Sequence, residues 1–306
     1  MTAVETSRTA DGTAVLEHLL LRTSRTFALV IPRLPSPTRE AVTLAYLLLR
    51  LADTVEDSAT WPVSQRQAAL DSLATALDAH PGHIETLAAT WLRDAVTDDE
   101  GCRELLEHAG ELMRAVHGLS PQRRAVVLEH VIRSVRGMRE MLNHAMPRGH
   151  ELTSLTELKA YCYVVAGLVG ELLTALFRID VPSLEGVAAQ LEDRAVAFGE
   201  GLQLVNILKD AEADAAEGRR FLPPAVERSA VFELARADLQ LAREYVNALA
   251  TGGAPVGLLT FTLLPVELAV ATLDVVETRG AGAKLSRDEV FAIVARVDAT
   301  LEPTTP

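Results

Sequence analysis

The chain has 306 residues, 49% of them apolar and only 4% aromatic, with a formal net charge of −13. That length suits one large domain or two ordinary ones, with apolar residues enough for a sizeable core. The acidity argues against a nucleic-acid partner, which needs a basic face, and suits a protein that holds cations.

The apolar residues are mostly Leu, Ala and Val, which favour helices over strands. Two cysteines, Cys102 and Cys162, are too few for a disulfide framework and lack zinc-ligand spacing, so a reducing cytoplasm is the expected location. The first twenty residues lack the pattern of a signal peptide. No run of about 18 uncharged apolar residues occurs, so no membrane span is expected.

In chain order, helical periodicity predicts helices over 13–32, 38–57, 63–79, 83–98, 101–117 and 121–145. It continues with 154–178, 184–216, 228–250, 256–278 and 286–300. Breakers separate them, among them "RLPSP" at 33–37, "MPRGH" at 146–150 and "TGGAP" at 251–255. Ser120 before Pro121, and Ser286 three residues before Glu289, read as helix starts. Connections this short favour one all-α domain over 1–306, with 1–12 and 301–306 as flexible ends.

The helix over 38–57 ends as "LLLRLADTVED", an apolar run closing on Asp53, Glu56 and Asp57. Asp53 and Asp57 stand four apart and share a helix face. A second stripe lies in "GLQLVNILKDAEADAAEGRRFLP", where Gln203, Asn206, Asp210 and Asp214 are spaced by 3, 4 and 4. Either stripe alone reads as a solvated helix face. Two of them, each closing an apolar helix, point to acids facing a common pocket. Carboxylates with few histidines suit Mg²⁺, which prefers oxygen ligands and bridges to substrate phosphates. Arg25, Arg50, Lys209, Arg219 and Arg220 lie near these motifs and are suited to phosphate oxygens. Metal, cations and aliphatic helices together are what ionisation of an allylic diphosphate requires.

At these residues the sequence resembles the squalene/phytoene synthase family, the head-to-head prenyl synthases. "SRTFALVIPRLP" (24–35), "AYLLLRLADTVED" (45–57), "YCYVVAGLVGELL" (161–173) and "QLVNILKDAEADAAEGRRFLP" (203–223) match its motifs in family order. "LLPVELAVATL" (263–273) and "KLSRDEV" (284–290) match more weakly. The resemblance implies an all-α isoprenoid-synthase bundle around a central apolar cavity. It implies Mg²⁺ on Asp53, Asp57, Asn206, Asp210 and Asp214. Ser24, Arg25, Phe27, Arg50, Gln203, Lys209 and Arg219 are then substrate-binding, and Tyr161 is catalytic.

On residue type alone Phe27 reads better as core, and Tyr161 as a buried, hydrogen-bonded tyrosine. Gly167 and Gly170 read as close helix packing, because no strand precedes them. The sequence departs from the family pattern at Lys209, where arginine is usual, and at Val164, often a bulky residue.

The implied reaction condenses two prenyl diphosphates, two farnesyl diphosphates giving presqualene diphosphate and then squalene or dehydrosqualene. The alternative keeps the donor and passes the prenyl group to an aromatic acceptor. No motif supports NADPH. A peripheral membrane contact would suit an apolar product.

Overall fold

The structure, a computed structural model, describes residues 14–24, 26–146 and 149–301. The ends expected to be flexible lie outside these residues, except Leu301, which closes the last helix. The chain is all-α; among the described residues the strands are the two-residue β1 (Ala145–Met146) and β2 (Gly149–His150), paired antiparallel. Contacts group it into two compact units, Met1–Pro32 with Ser36–Asn143, and Arg33–Pro35 with His144–Pro306.

The first unit contains α1 (14–23), α2 (Phe27–Val30), α3 (Thr38–Glu56), α4 (Val63–Leu77), α5 (Gly82–Arg93), α6 (Glu100–Glu107), α7 (Ala109–Gly118) and α8 (Pro121–Met141). Leu44, Leu47, Leu48, Leu51 and Val55 form one buried stripe of α3, which packs on α4 and α8. Full burial of each such side chain contributes about 1.5–3 kcal/mol. This apolar grip fixes the helix end that carries Asp53.

Three expected helices differ here. The helix over 13–32 breaks at Ser24, whose Oγ accepts the Phe27 amide (2.9 Å) and starts α2. The helix over 83–98 ends at Arg93, with Ala95 in the left-handed region at φ 52°. Its freed carbonyls are taken by side chains: Ser58 Oγ donates to Val96 O (2.7 Å), Thr60 Oγ1 to Ala95 O (2.7 Å) and Trp61 Nε1 to Asp94 O (2.8 Å). The helix over 101–117 divides at His108 into α6 and α7. The redirected α7 brings Gly110 so near α5 that a Cβ there would lie 2.6 Å from Glu85 Oε2.

The second unit contains α9 (Leu155–Cys162), a π-helical turn (Tyr163–Gly167), α10 (Leu168–Asp180), a 3₁₀ segment (Pro182–Val187), α11 (Ala188–Ala216), α12 (Arg228–Thr251), α13 (Val256–Arg279) and α14 (Arg287–Leu301). α11 is its axis, packed by α9, the π turn, α10, α12 and α13. Glycines allow the closest approaches. A Cβ on Gly170 would lie 1.8 Å from Ala195 O, and one on Gly199 1.9 Å from Ala166 O. The packing role expected of Gly170 is therefore met. The expected continuous helix over 154–178 is interrupted by the π turn, which sets the Ala166 carbonyl against α11. Ser286 and Glu289 form the expected reciprocal cap of α14, with Ser286 N donating to Glu289 Oε2 (2.7 Å) and Glu289 N to Ser286 Oγ (3.2 Å).

Two stretches, Leu155–Asp180 and Val256–Arg279, are long and apolar enough to cross a membrane by length and composition. The strict count of uninterrupted apolar residues passes over them because charges punctuate both. In their most apolar windows 61% and 56% of residues are buried within the protein, as in core helices.

Candidate active-site residues

In the first unit Asp53 occupies the last turn of α3, and Asp57 is its C-cap, with Asp57 N donating to Asp53 O (2.8 Å). Asp53 is half-buried and Asp57 exposed. Burial, then the neighbouring Asp57 charge, pushes the Asp53 carboxyl up to about 7, while Arg50 one turn earlier pulls it back. Arg50 Nε is buried with no hydrogen-bond partner. A buried donor left unmade is costly, and here it stands one turn from Asp53. Glu56, between the two aspartates, is buried, and its carbonyl oxygen accepts from Arg66 Nη1 (2.7 Å).

Phe27 corrects the core reading. It is 37% exposed and lies tilted against Tyr46, ring centroids 5.5 Å apart. The short α2 that holds it is too brief to bury both faces. Tyr46 Oη donates to Thr23 O (2.9 Å), so Ser24 and Phe27 are held on the flank of α3. Arg25 lies outside the described residues.

In the second unit α11 presents Gln203, Asn206, Asp210 and Asp214, half-buried except for the exposed Asn206. Leu204, Val205, Ile207 and Leu208 are buried, whereas Leu202 is half-buried. Lys209 Nζ lies 3.2 Å from Asp210 Oδ2 and 3.4 Å from Asn206 Oδ1. Arg219 Nη2 lies 2.9 Å from Asp214 Oδ1 and 2.8 Å from Glu217 Oε2. Asp210 and Asp214 thus each have a cation beside them.

Tyr161, 8% exposed on α9, stacks on Phe221 with centroids 4.7 Å apart. Phe221 is buried in the segment after α11, which is pinned by Leu152 N donating to Arg220 O (3.0 Å). Phe221, Asp214, Ile207, Ala211, Arg220 and Leu222 line a pocket of about 170 Å³. So Tyr161 and Asp214 share a neighbour, Phe221, that the sequence reading left out. Its place inside the "GRRFLP" close of the second motif was the available signal.

The donor sets fit Mg²⁺. Each motif offers two carboxylates, and among the described residues no group of three or more His, Cys, Asp or Glu is arranged to hold a metal by itself. An ion held by so few protein oxygens keeps positions for water and phosphate oxygens, as Mg²⁺ does.

An all-α chain with paired carboxylates at two helix ends and a buried tyrosine on a third helix has oxygen donors suited to a divalent cation beside apolar helix faces. The family model for squalene/phytoene synthase matches residues 20–230. The chain belongs to the squalene/phytoene synthase family. It is 32% identical over 219 residues to a squalene synthase of Eremothecium gossypii, covering 71% of this chain and 48% of that one. It thus spans about half the length of the curated relatives it matches. A solved structure of TcSQS with the ligand BPH1237 superposes with a TM-score of 0.71 at 26% identity, covering 94% of this chain and 86% of that one. A dehydrosqualene synthase structure shares the fold, with a TM-score of 0.60 at 19% identity over 97% of this chain and 98% of that one.

Proposed function

We propose that the chain is a Mg²⁺-dependent prenyltransferase that ionises an allylic prenyl diphosphate and joins the allyl fragment to a second prenyl diphosphate. With farnesyl diphosphate the product is presqualene diphosphate, then squalene or dehydrosqualene. The observation that carries this is the family match through residues 20–230, which includes both complete aspartate motifs. That match runs through both compact units, which supports reading 1–306 as one functional domain. The free, buried Cys102 and Cys162 support a reducing, cytoplasmic setting.

In this reading Asp53, Asp57, Asn206, Asp210 and Asp214 hold Mg²⁺, which when bound stabilises charge on the departing diphosphate. Arg50, with its spare Nε–H, and Arg25, Lys209 and Arg219 hold phosphate oxygens. Ser24, Phe27 and Gln203 bind substrate. The apolar walls keep water from the cation. Product analysis by mass spectrometry, with C5 to C20 prenyl diphosphates and with or without Mg²⁺, NADPH and aromatic acceptors, tests the proposal. Formation of C30 hydrocarbon from farnesyl diphosphate supports it; a prenylated aromatic product alone would assign the acceptor differently.

Two results are expected beside this. Mg²⁺ should bind weakly alone and tightly with a prenyl diphosphate, because two carboxylates per motif leave the shell incomplete. Calorimetry that finds tight Mg²⁺ binding, unchanged by diphosphate, would count against these ligands. Tyr161→Phe should lower the single-turnover rate roughly 100-fold while leaving diphosphate affinity within about threefold, because the ring and its stack on Phe221 are retained. A merely structural hydroxyl would instead cost about 1 kcal/mol of stability and spare the rate.

A further inference from the structure

The second unit buries another pair of carboxylates that this chemistry does not use. Glu200 on α11 and Asp238 on α12 are each 8% exposed. They lie on helices that approach closely: a Cβ on Gly201, the residue after Glu200, would lie 3.2 Å from Asp238 Cβ and 3.1 Å from Leu239 N. Glu200 also faces the π turn, since a Cβ on Gly167 would lie 3.4 Å from its Oε1. Asp238 Oδ2 is buried with no hydrogen-bond partner. An ionised carboxylate so placed is expensive, and two repel each other.

Compensation from the surrounding elements is incomplete. α9 contributes Lys159, which is exposed, and the buried thiol of Cys162. In the π turn Tyr163 Oη donates to Glu171 of α10 (3.0 Å), so that hydroxyl is committed elsewhere. One solvated lysine faces two buried carboxylates. A proton held by the pair supplies the missing positive charge and a donor for the orphaned oxygen. Accordingly burial, then the Asp238 charge, pushes Glu200 up to about 7 against the pull of Lys159, and burial pushes Asp238 up to about 6.

The position of the pair gives it a consequence. Cys162, 1% exposed, follows Tyr161 directly, and burial, then the fields of Glu200 and Asp238, push its thiol up. The π turn beside it is an irregular, marginal piece of helix. We propose that Glu200 and Asp238 are a positioning pair whose shared proton seats α9 and the π turn, and with them Tyr161, on α11 and α12. The catalytic meaning of Tyr161 rests on the proposed function; the seating does not.

The sign is fixed by linkage. Both carboxyls bind a proton more tightly in the folded chain than in the unfolded one, so between about pH 4 and pH 7 the fold holds the extra proton. The pair's contribution to stability falls as pH rises through that window and stays low above it. Hydrogen exchange of the full chain at pH 6 and pH 8, corrected for intrinsic rates, reads the seat directly. Wild-type amides of 155–167 should lose roughly tenfold protection at pH 8. Glu200→Gln and Asp238→Asn should each reduce that loss, and each should gain Tm over wild type at pH 8, on the order of 3 °C, but not at pH 5. Should one variant fail to fold, the wild-type exchange and the other variant decide. Wild-type protection that does not change with pH, or variants that keep the wild-type pH dependence, would overturn the pairing. An inactive enzyme with intact pH-coupled seating would instead overturn the proposed function alone.

Discussion

Asp53→Asn is expected to abolish turnover, by at least roughly 10³-fold, while the metal-free protein folds and becomes more stable at pH 8. Asp210→Asn should lose activity equally. The two effects of Asp53→Asn have one cause. Asp53 is half-buried beside Asp57, and burial followed by that charge lifts its carboxyl to about 7. Its folded pKa stands above its unfolded one, so it costs stability as pH rises from about 4 to about 7, and the full cost persists above. A neutral asparagine removes that cost, on the order of 2–3 kcal/mol at pH 8 and nothing at pH 4. Asp210 has Lys209 at 3.2 Å, and Asp210→Asn loses that ion pair, so it should give no comparable gain. Melting curves in a chelator, at pH 5 and pH 8, separate the two variants. Wild-type rates for both at saturating Mg²⁺ would remove the metal assignment.

Gly199→Ala and Gly170→Ala are expected to be the most damaging single-methyl changes in the second unit. The new methyl would start 1.9 Å from Ala166 O in the first and 1.8 Å from Ala195 O in the second. Both obstacles are backbone, so no rotamer change relieves them, and α11 must part from α10 or the π turn. Overpacking usually costs 1–3 kcal/mol; a backbone clash at this distance should cost at least about 3 kcal/mol. Gly118→Ala is the control, since nothing lies within 4 Å of a Cβ there, and helix propensity should make it neutral to stabilising. Chemical denaturation of the three variants checks the order. Equal stability of Gly199→Ala and Gly118→Ala would mean that the helix contact is looser than described.

Several features were legible in sequence because their causes are local. The 3.6-residue period of Leu44, Leu47, Leu48, Leu51 and Val55 writes a helix and its buried face directly into spacing. The Ser286–Glu289 cap needs only three residues of separation. The four motifs in order sufficed to place the chain in its family, since they carry chemistry in side-chain identity. Glycines flanking an apolar helix announced close packing, although not against which carbonyl.

Tertiary structure decided what depends on residues far apart in the chain. Phe221 stacks on Tyr161 from sixty positions away, pinned by the strap between Leu152 and Arg220, and no spacing rule encodes that. Phe27 reads as core by type, yet it sits on a four-residue helix and stays partly exposed. Proton affinity is likewise invisible in sequence: nothing in the spacing of Asp53 and Asp57 says that burial, then the neighbouring charge, will raise the Asp53 carboxyl, because burial is a property of place. Glu200 and Asp238 show this most plainly. Read along the chain they are two ordinary acids 38 residues apart; packed between α11, α12 and the π turn, they need a proton.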